Sequence, residues 1–359
     1  MTPAGEPRAA AAVRLLVVDA ATGALEARPA GAFPELVGAG DLVVVNDAAT
    51  LPASLSARDA SGNAIEIRLV GAIDGLLQFR AALLGEGDPR VRTEHRPAPP
   101  RVAVGDVLHV GPELVARVMA VSSFSERLVD LALTLATGGE AAAVWAALYR
   151  AGRPVQYAHV QRPLALWDVQ NAWAGRPWAV EMPSAGRSLH HQTLVALRRR
   201  GVEIAAVTHA AGLSSTGDAA IDARLPLPER FEVPEEAVAA IARTRARGGR
   251  VVAVGTSVVR ALESAARLSG AGPLRAARGI TDLLLGPGAE LRVADALLTG
   301  VHESDTTHFM LLGAFASRPV LDAALEAAER EGFLGHELGD TWLVWRASAN
   351  RARAAVAAA

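Results

Sequence analysis

Short apolar runs at Val13–Asp19 and Asp41–Val45 open the chain, and the second closes on Asn46-Asp47, a turn pair. From about Ser56 to Leu135 the texture changes. Short alternating segments recur at Ala64–Val70, Gly75–Ala81, Arg101–Val110 and Glu113–Val121, separated by Gly, Asp and Pro. This pattern predicts several short antiparallel strands closing into a small barrel or sandwich. After Gly138 the spacing becomes helical over Glu140–Arg150, and Gly152–Arg162 reads as a loop. From there strands and helices alternate: strand Trp178–Glu181, helix Leu189–Arg200 ended by Gly201, strand Val202–Thr208, helix Pro234–Gly248, strand Arg250–Val254 and helix Ser257–Leu268. A strand at Thr281–Leu285, helices at Phe309–Ala316 and Val320–Gly332, and a strand at Thr341–Trp345 complete the series. Such alternation predicts an α/β domain with mostly parallel strands. It is built from both ends of the chain, residues 1–56 and 151–359, with a small antiparallel β-barrel domain inserted at 57–150.

Composition narrows the function classes. With 359 residues, 51% hydrophobic and 21% charged, the chain is globular rather than disordered. A formal charge of -2 supplies no overall basic field for nucleic acid, so a nucleic-acid partner needs a local patch. Every basic side chain is Arg, which reads as compositional bias together with the abundant Ala, Gly and Val. The absence of Cys excludes disulfides, thiolate metal sites and Cys nucleophiles. Met1–Ala12 lacks an apolar core, and no run reaches the ~20 apolar residues of a membrane span. A cytoplasmic protein without a membrane partner is expected.

Four segments carry candidate chemistry, each at the end of a strand, where open α/β sheets gather ligands. In Val251–Ser264 an apolar strand runs into Gly255, then Thr256-Ser257, then a helix with Arg260 and Glu263. Either this helix N-terminus receives a carboxylate or phosphate, or Thr256 or Ser257 simply caps the helix. Pro183-Ser184-Ala185-Gly186 forms a second strand–loop–helix turn, and Thr208-His209 ends a third strand. The fourth, Asp295–His302, ends in Thr299, Gly300 and His302; that His is either a general base or a hydrogen-bonded structural residue. His190-His191 are adjacent on a helix and point apart, a poor metal pair, and no Asp/Glu/His set shows metal-ligand spacing.

In this order, several segments resemble the S-adenosylmethionine:tRNA ribosyltransferase-isomerases of queuosine synthesis. They are Gly40–Leu55, Met182–Gly186, Arg199–Leu213, Phe231–Ala266, Gly279–Asp282 and Val293–Ala316. The resemblance implies transfer and rearrangement of the ribosyl unit of S-adenosylmethionine onto an aminomethyl-deazaguanine base in tRNA. Epoxyqueuosine forms while adenine and methionine leave, with no metal or redox cofactor. Proton abstraction beside the sulfonium begins the reaction, which needs a base and polar contacts for the co-substrate. By this resemblance His302, His209 and Glu229 are the catalytic candidates. Gly255, Thr256, Ser257, Arg260, Ala185, Gly186 and Thr299 bind S-adenosylmethionine. Asn46, Asp47 and Asp282 contact substrate, although the Asn-Asp pair equally suits a turn. A monomer is expected.

The chain also departs from the family pattern. The Leu-His-Phe-Thr that follows the family's Pro-Thr-Ala-Gly reads Arg187-Ser188-Leu189-His190, and Arg224–Phe231 has lost the histidines of a His-rich segment, keeping Glu229 and one aromatic. After His302, Leu-Pro-Lys-Ser-Thr has become Glu303-Ser304-Asp305-Thr306-Thr307, exchanging a base for acids that repel a polyanion. Two alternatives follow: an enzyme using S-adenosylmethionine on a small-molecule acceptor or cleaving it, and a binding protein without catalysis.

Overall fold

A computed structural model describes residues 1–73 and 77–348, so the first two residues of the expected strand Gly75–Ala81 lie outside the described residues. Among the described residues a nine-stranded sheet forms the body of the protein. At its centre Glu203–His209, Leu42–Asn46, Val251–Val254 and Ala296–Gly300 run parallel in that spatial order. These strands are almost entirely apolar because both faces are covered. Leu42, Val44, Val251 and Ala253 point into one core, against Val258, Leu262 and Ala265 of helix Thr256–Leu268 and Ile241 of helix Glu235–Ala246. Val43, Val45, Val252 and Val254 point into the other, with Phe33, Leu189 and Leu197. The side-chain period of two thus divides one apolar run between two cores.

The sheet is mixed rather than mostly parallel. Thr341–Trp345 runs antiparallel to Ala296–Gly300, then pairs in parallel with Arg14–Asp19, which makes a hairpin with Leu25–Pro29. On the other side Glu229–Val233 and Ala277–Thr281 add two antiparallel strands. The expected strand Thr281–Leu285 is displaced for the same reason: the strand is Ala277–Thr281, which pairs with Glu229–Val233, and Leu283–Leu285 leave the sheet to line a cavity. Alternation alone does not reveal an antiparallel pair whose members are separated by a helix, a strand and another helix.

Among the described residues six antiparallel strands close a barrel: Ser54–Arg58, Ala64–Ala72, Gln78–Leu84, Val107–Val110, Leu114–Val121 and Leu128–Leu135. Leu55, Ile67, Leu69, Phe79, Leu108, Val118 and Leu131 fill its core, and Val144, Ala147 and Leu148 of helix Ala141–Ala151 join the same cluster. The expected boundary at 56/57 falls inside the strand Ser54–Arg58, which pairs with Ala64–Arg68. Val180, Leu213, Ile221 and Leu227 also belong to this cluster, so the barrel core is continuous with the loops above the large sheet. No helix among the described residues is long and apolar enough to cross a membrane.

Candidate functional site

A cavity of about 780 Å³ opens where the central parallel strands end. His209, Gly255 and Thr299-Gly300 mark the ends of three of them, and Arg92, Thr93 and Glu94 from the barrel's connecting segment reach the same cavity. The volume lies in the range of sites for drug-sized ligands.

Gly255 turns the strand Val251–Val254 into the helix Thr256–Leu268 with a φ of 99°, a conformation that side-chain-bearing residues resist. No side chain caps this helix, so Thr256 and Ser257 do not perform the capping role open to them in the sequence. Both line the cavity within the first helical turn. The helix start therefore combines open backbone donors, two hydroxyls and a positive dipole end. Gly255→Ala is expected to destabilise the protein by about 1–3 kcal/mol through the positive-φ backbone alone, since a ψ of 149° places the residue near a region that is essentially glycine-only. A shift of the urea midpoint checks this; an unchanged midpoint would show that the turn relaxes freely.

One turn along, Arg260 is buried. Its Nε donates to the Leu283 carbonyl at 2.9 Å, its Nη1 is ion-paired with Glu229, and its Nη2 has no partner among the described residues. Burial pulls the guanidinium down to about 10, so it remains a cation at neutral pH. Glu229 is held from both sides, since its Oε1 accepts from the Gly212 N–H at 2.6 Å. His209 Nε2 lies 3.6 Å from Glu229 Oε2, and neither ring nitrogen of His209 makes a hydrogen bond among the described residues. Burial, reinforced by the Arg260 charge, holds this imidazole well below its ordinary value of 6.5.

That depression carries a stability consequence. Below about pH 6.5 the unfolded chain binds a proton at His209 that the folded chain excludes, so stability falls as pH falls through that value. The contribution is a slope of up to about 1.4 kcal/mol per pH unit. Urea midpoints measured between about pH 7.5 and pH 5.5 are expected to fall less steeply for His209→Asn than for the wild type. Equal slopes would mean that His209 gains its proton without unfolding.

Beside this group, Thr299 Oγ1 is 2.7 Å from His302 Nε2, and the His302 ring stacks on His308 with centroids 5.1 Å apart. Burial, then His308 and His336, keep His302 well below 6.5, and burial, then Arg260, lower His308. These rings are neutral at physiological pH and able to accept a proton. A further wall comes from distant segments: Tyr157, His159, Glu181, His336 and Glu337. Glu181 accepts from Tyr157 Oη, from Ser214 N at 2.8 Å and from Ser214 Oγ at 2.5 Å. Burial, then the nearby Glu337, raises its carboxyl to about 7.

The cavity brings together His302, His209, Glu229, Gly255, Thr256, Ser257, Arg260, Ala185 and Thr299. Gly186, Asn46, Asp47 and Asp282 do not line it. Gly186 is a packing position, where a Cβ would stand 2.7 Å from Asn171 Nδ2 and from the Trp173 ring. Asn46 is a clamp between strand ends: its Oδ1 accepts from Ala48 and His209 N–H, and its Nδ2 donates to the His209 carbonyl and Ser257 Oγ. Asp47 accepts from Thr208 Oγ1 at 2.6 Å, and Asp282 is exposed. Of the histidines near altered motifs, His209 enters the cavity, whereas His190 bonds with Thr193 Oγ1 and His191 is exposed. Sequence reasoning missed Tyr157, His159, Glu181, His308, His336 and Glu337. It also found no metal-ligand set, yet His159, His336 and Glu337 bring ligand atoms within 4.8 Å of one another.

Residues 2–344 match the family model described as Queuosine biosynthesis protein. The S-adenosylmethionine:tRNA ribosyltransferase-isomerase of Anaeromyxobacter dehalogenans (strain 2CP-C) is 35% identical over 342 residues, covering 93% of each chain. The protein of the same name from Sorangium cellulosum (strain So ce56) is 36% identical over 354 residues, covering 92% of this chain and 91% of its own. The crystal structure of S-adenosylmethionine tRNA ribosyltransferase from Thermotoga maritima matches 95% of both chains at 25% identity, with a TM-score of 0.50. The chain belongs to the queuosine biosynthesis protein family, as an enzyme of the S-adenosylmethionine:tRNA ribosyltransferase-isomerase kind.

Proposed function

We propose that the protein transfers and isomerises the ribosyl unit of S-adenosylmethionine onto a 7-deazaguanine base in tRNA, giving epoxyqueuosine and releasing adenine and methionine. The observation that carries this reading is the juxtaposition, in one cavity, of a buried cation with an unpartnered N–H and several neutral imidazoles. Arg260 Nη2 and the open N–H groups at Thr256-Ser257 suit the methionine carboxylate. His302, oriented by Thr299, is the general base for the carbon next to the sulfonium, whose positive charge stabilises the developing carbanion. Glu229 holds Arg260 in place and sets the charge beside His209. S-adenosylmethionine is a co-substrate in this scheme, and its chemistry calls on no metal.

Exposed arginines that flank the cavity-lining residues Pro226 and Glu229 in the chain support a tRNA partner. Arg230 and Arg224 are exposed and lie over Trp178 and Phe124, at 3.7 and 4.4 Å from the ring centroids, while Arg187 is directed inward to the Arg8 carbonyl. A small-molecule acceptor is the second reading, and Glu94 and Glu303 in the cavity lining favour it, since both repel phosphate. Chromatographic assay of adenine release, with and without tRNA carrying the aminomethyl-deazaguanine base, decides between them. Release that depends on that tRNA is expected. Release at the same rate without it would overturn the tRNA reading in favour of another acceptor or simple cleavage.

A further inference from the structure

His159, His336 and Glu337 come from two segments far apart in the chain, and each offers a ligand atom within 4.8 Å of the other two. His159 Nε2 is buried without a hydrogen-bond partner among the described residues and lies 3.3 Å from Glu337 Oε2. A tetrahedral zinc ion, with Zn–N of about 2.0–2.1 Å and Zn–O of about 2.0–2.2 Å, separates neighbouring ligand atoms by about 3.3–3.5 Å. The two rings lie 4.6 Å apart between centroids, inclined at 35°. His336 also occupies the left-handed region at φ 65°, the one residue other than glycine to do so among the described residues. His is among the non-glycine residues that adopt this conformation most readily, so the turn suits the side chain it presents beside His159.

We propose that His159, His336 and Glu337 form a binding site for a divalent transition-metal ion of the zinc class, set in the wall of the cavity beside His302. Two imidazoles and one carboxylate are a donor set that suits such ions in a chain without thiolates. Three protein ligands leave at least one coordination position open to the cavity, where an oxygen of a bound substrate or a water enters. Glu303 Oε1, 3.5 Å from His336 Nε2, is placed to orient that ring or to join the ion. Glu181 is not required as a ligand, because Tyr157 and Ser214 already supply its hydrogen bonds. A simple His159–Glu337 ion pair accounts for less: it uses one imidazole and leaves unexplained why a second one offers a ligand atom within 4.8 Å of both partners.

The test needs no turnover, so it stands or falls separately from the ribosyl-transfer reading. Untagged full-length protein is freed of metal with a chelator and dialysed, then titrated with Co²⁺ by visible absorption and with Zn²⁺ by calorimetry. One ion per chain is expected, with Co²⁺ bands characteristic of a low-symmetry, low-coordinate site. His159→Ala, Glu337→Gln and His336→Asn are each expected to weaken binding by at least about tenfold. Asn is chosen at position 336 because it tolerates the left-handed backbone. His191→Ala, on an exposed helix position, is expected to bind as the wild type does. Thermal unfolding in chelator establishes that each variant is folded before titration. Absence of saturable binding to the wild type, or equal affinity in all three folded site variants, would overturn the proposal.

Discussion

Arg260→Ala lowers kcat/KM for adenine release from S-adenosylmethionine by about 10²–10³, the effect of removing one preorganised donor from a water-poor site. Two consequences of this substitution must be separated. The guanidinium neutralises Glu229, which is buried beside His209, so truncation also strands a carboxylate in the interior. Breaking one side of such a pair costs about 3–5 kcal/mol of stability. Arg260→Ala combined with Glu229→Gln removes the stranded charge, and the Gln oxygen can still accept from the Gly212 N–H. The double variant is expected to recover most of the urea midpoint while turnover stays low. The Nη2 group without a protein partner is the reason for that split: its donor is free for a ligand, whereas Nη1 and Nε serve the fold. Wild-type turnover in the double variant would restrict Arg260 to a structural role.

The parts of this site that the sequence discloses are those where local chemistry is contiguous. Val251–Ser264 changes from a buried apolar strand to a helix across one glycine, so both the turn and Arg260 one turn later are readable from period alone. Thr299 and His302 are readable for the same reason, at the end of the apolar run Ala296–Gly300. Asn46 and Asp47 mark the limit of that logic. Polar residues at a strand's carboxyl end look alike whether they face a ligand or lock two strand ends together, and only the hydrogen bonds to Ala48, His209, Ser257 and Thr208 identify the lock. The wall made by Tyr157, His159, Glu181, His336 and Glu337 leaves no spacing pattern at all. Its members sit in irregular segments before and after the sheet strands, and their meeting depends on how Thr341–Trp345 inserts between Ala296–Gly300 and Arg14–Asp19. The barrel was visible as texture because alternation is local. Two of its strands are not picked out: Ser54–Arg58 has too few apolar positions to stand out from a loop, and Leu128–Leu135 lacks strict alternation.

His302→Ala is expected to lower kcat for adenine release by about 10²–10⁴, the range for loss of a positioned general base. Affinity for S-adenosylmethionine, measured by calorimetry, should stay close to wild type, because the proposed binding donors lie at Thr256, Ser257 and Arg260. Separating kcat from affinity is what distinguishes a base from a packing residue. Loss of a packed ring beside His308 would disturb the cavity wall and weaken binding as well. Thr299→Val gives the companion test. It keeps the volume and removes the 2.7 Å hydrogen bond to His302 Nε2, so turnover should fall in the same direction but by less, again with affinity preserved. Depression of the His302 pKa by burial leaves the ring unprotonated when the co-substrate arrives and at the same time weakens it as a base, so the geometry rather than the pKa carries the assignment. His308→Ala separates the two stacked rings. If it abolishes turnover while His302→Ala does not, the proton goes to His308. If His302→Ala weakens binding and kcat in equal measure, the ring is part of the wall and the base lies elsewhere in the cavity, with His209 next in line.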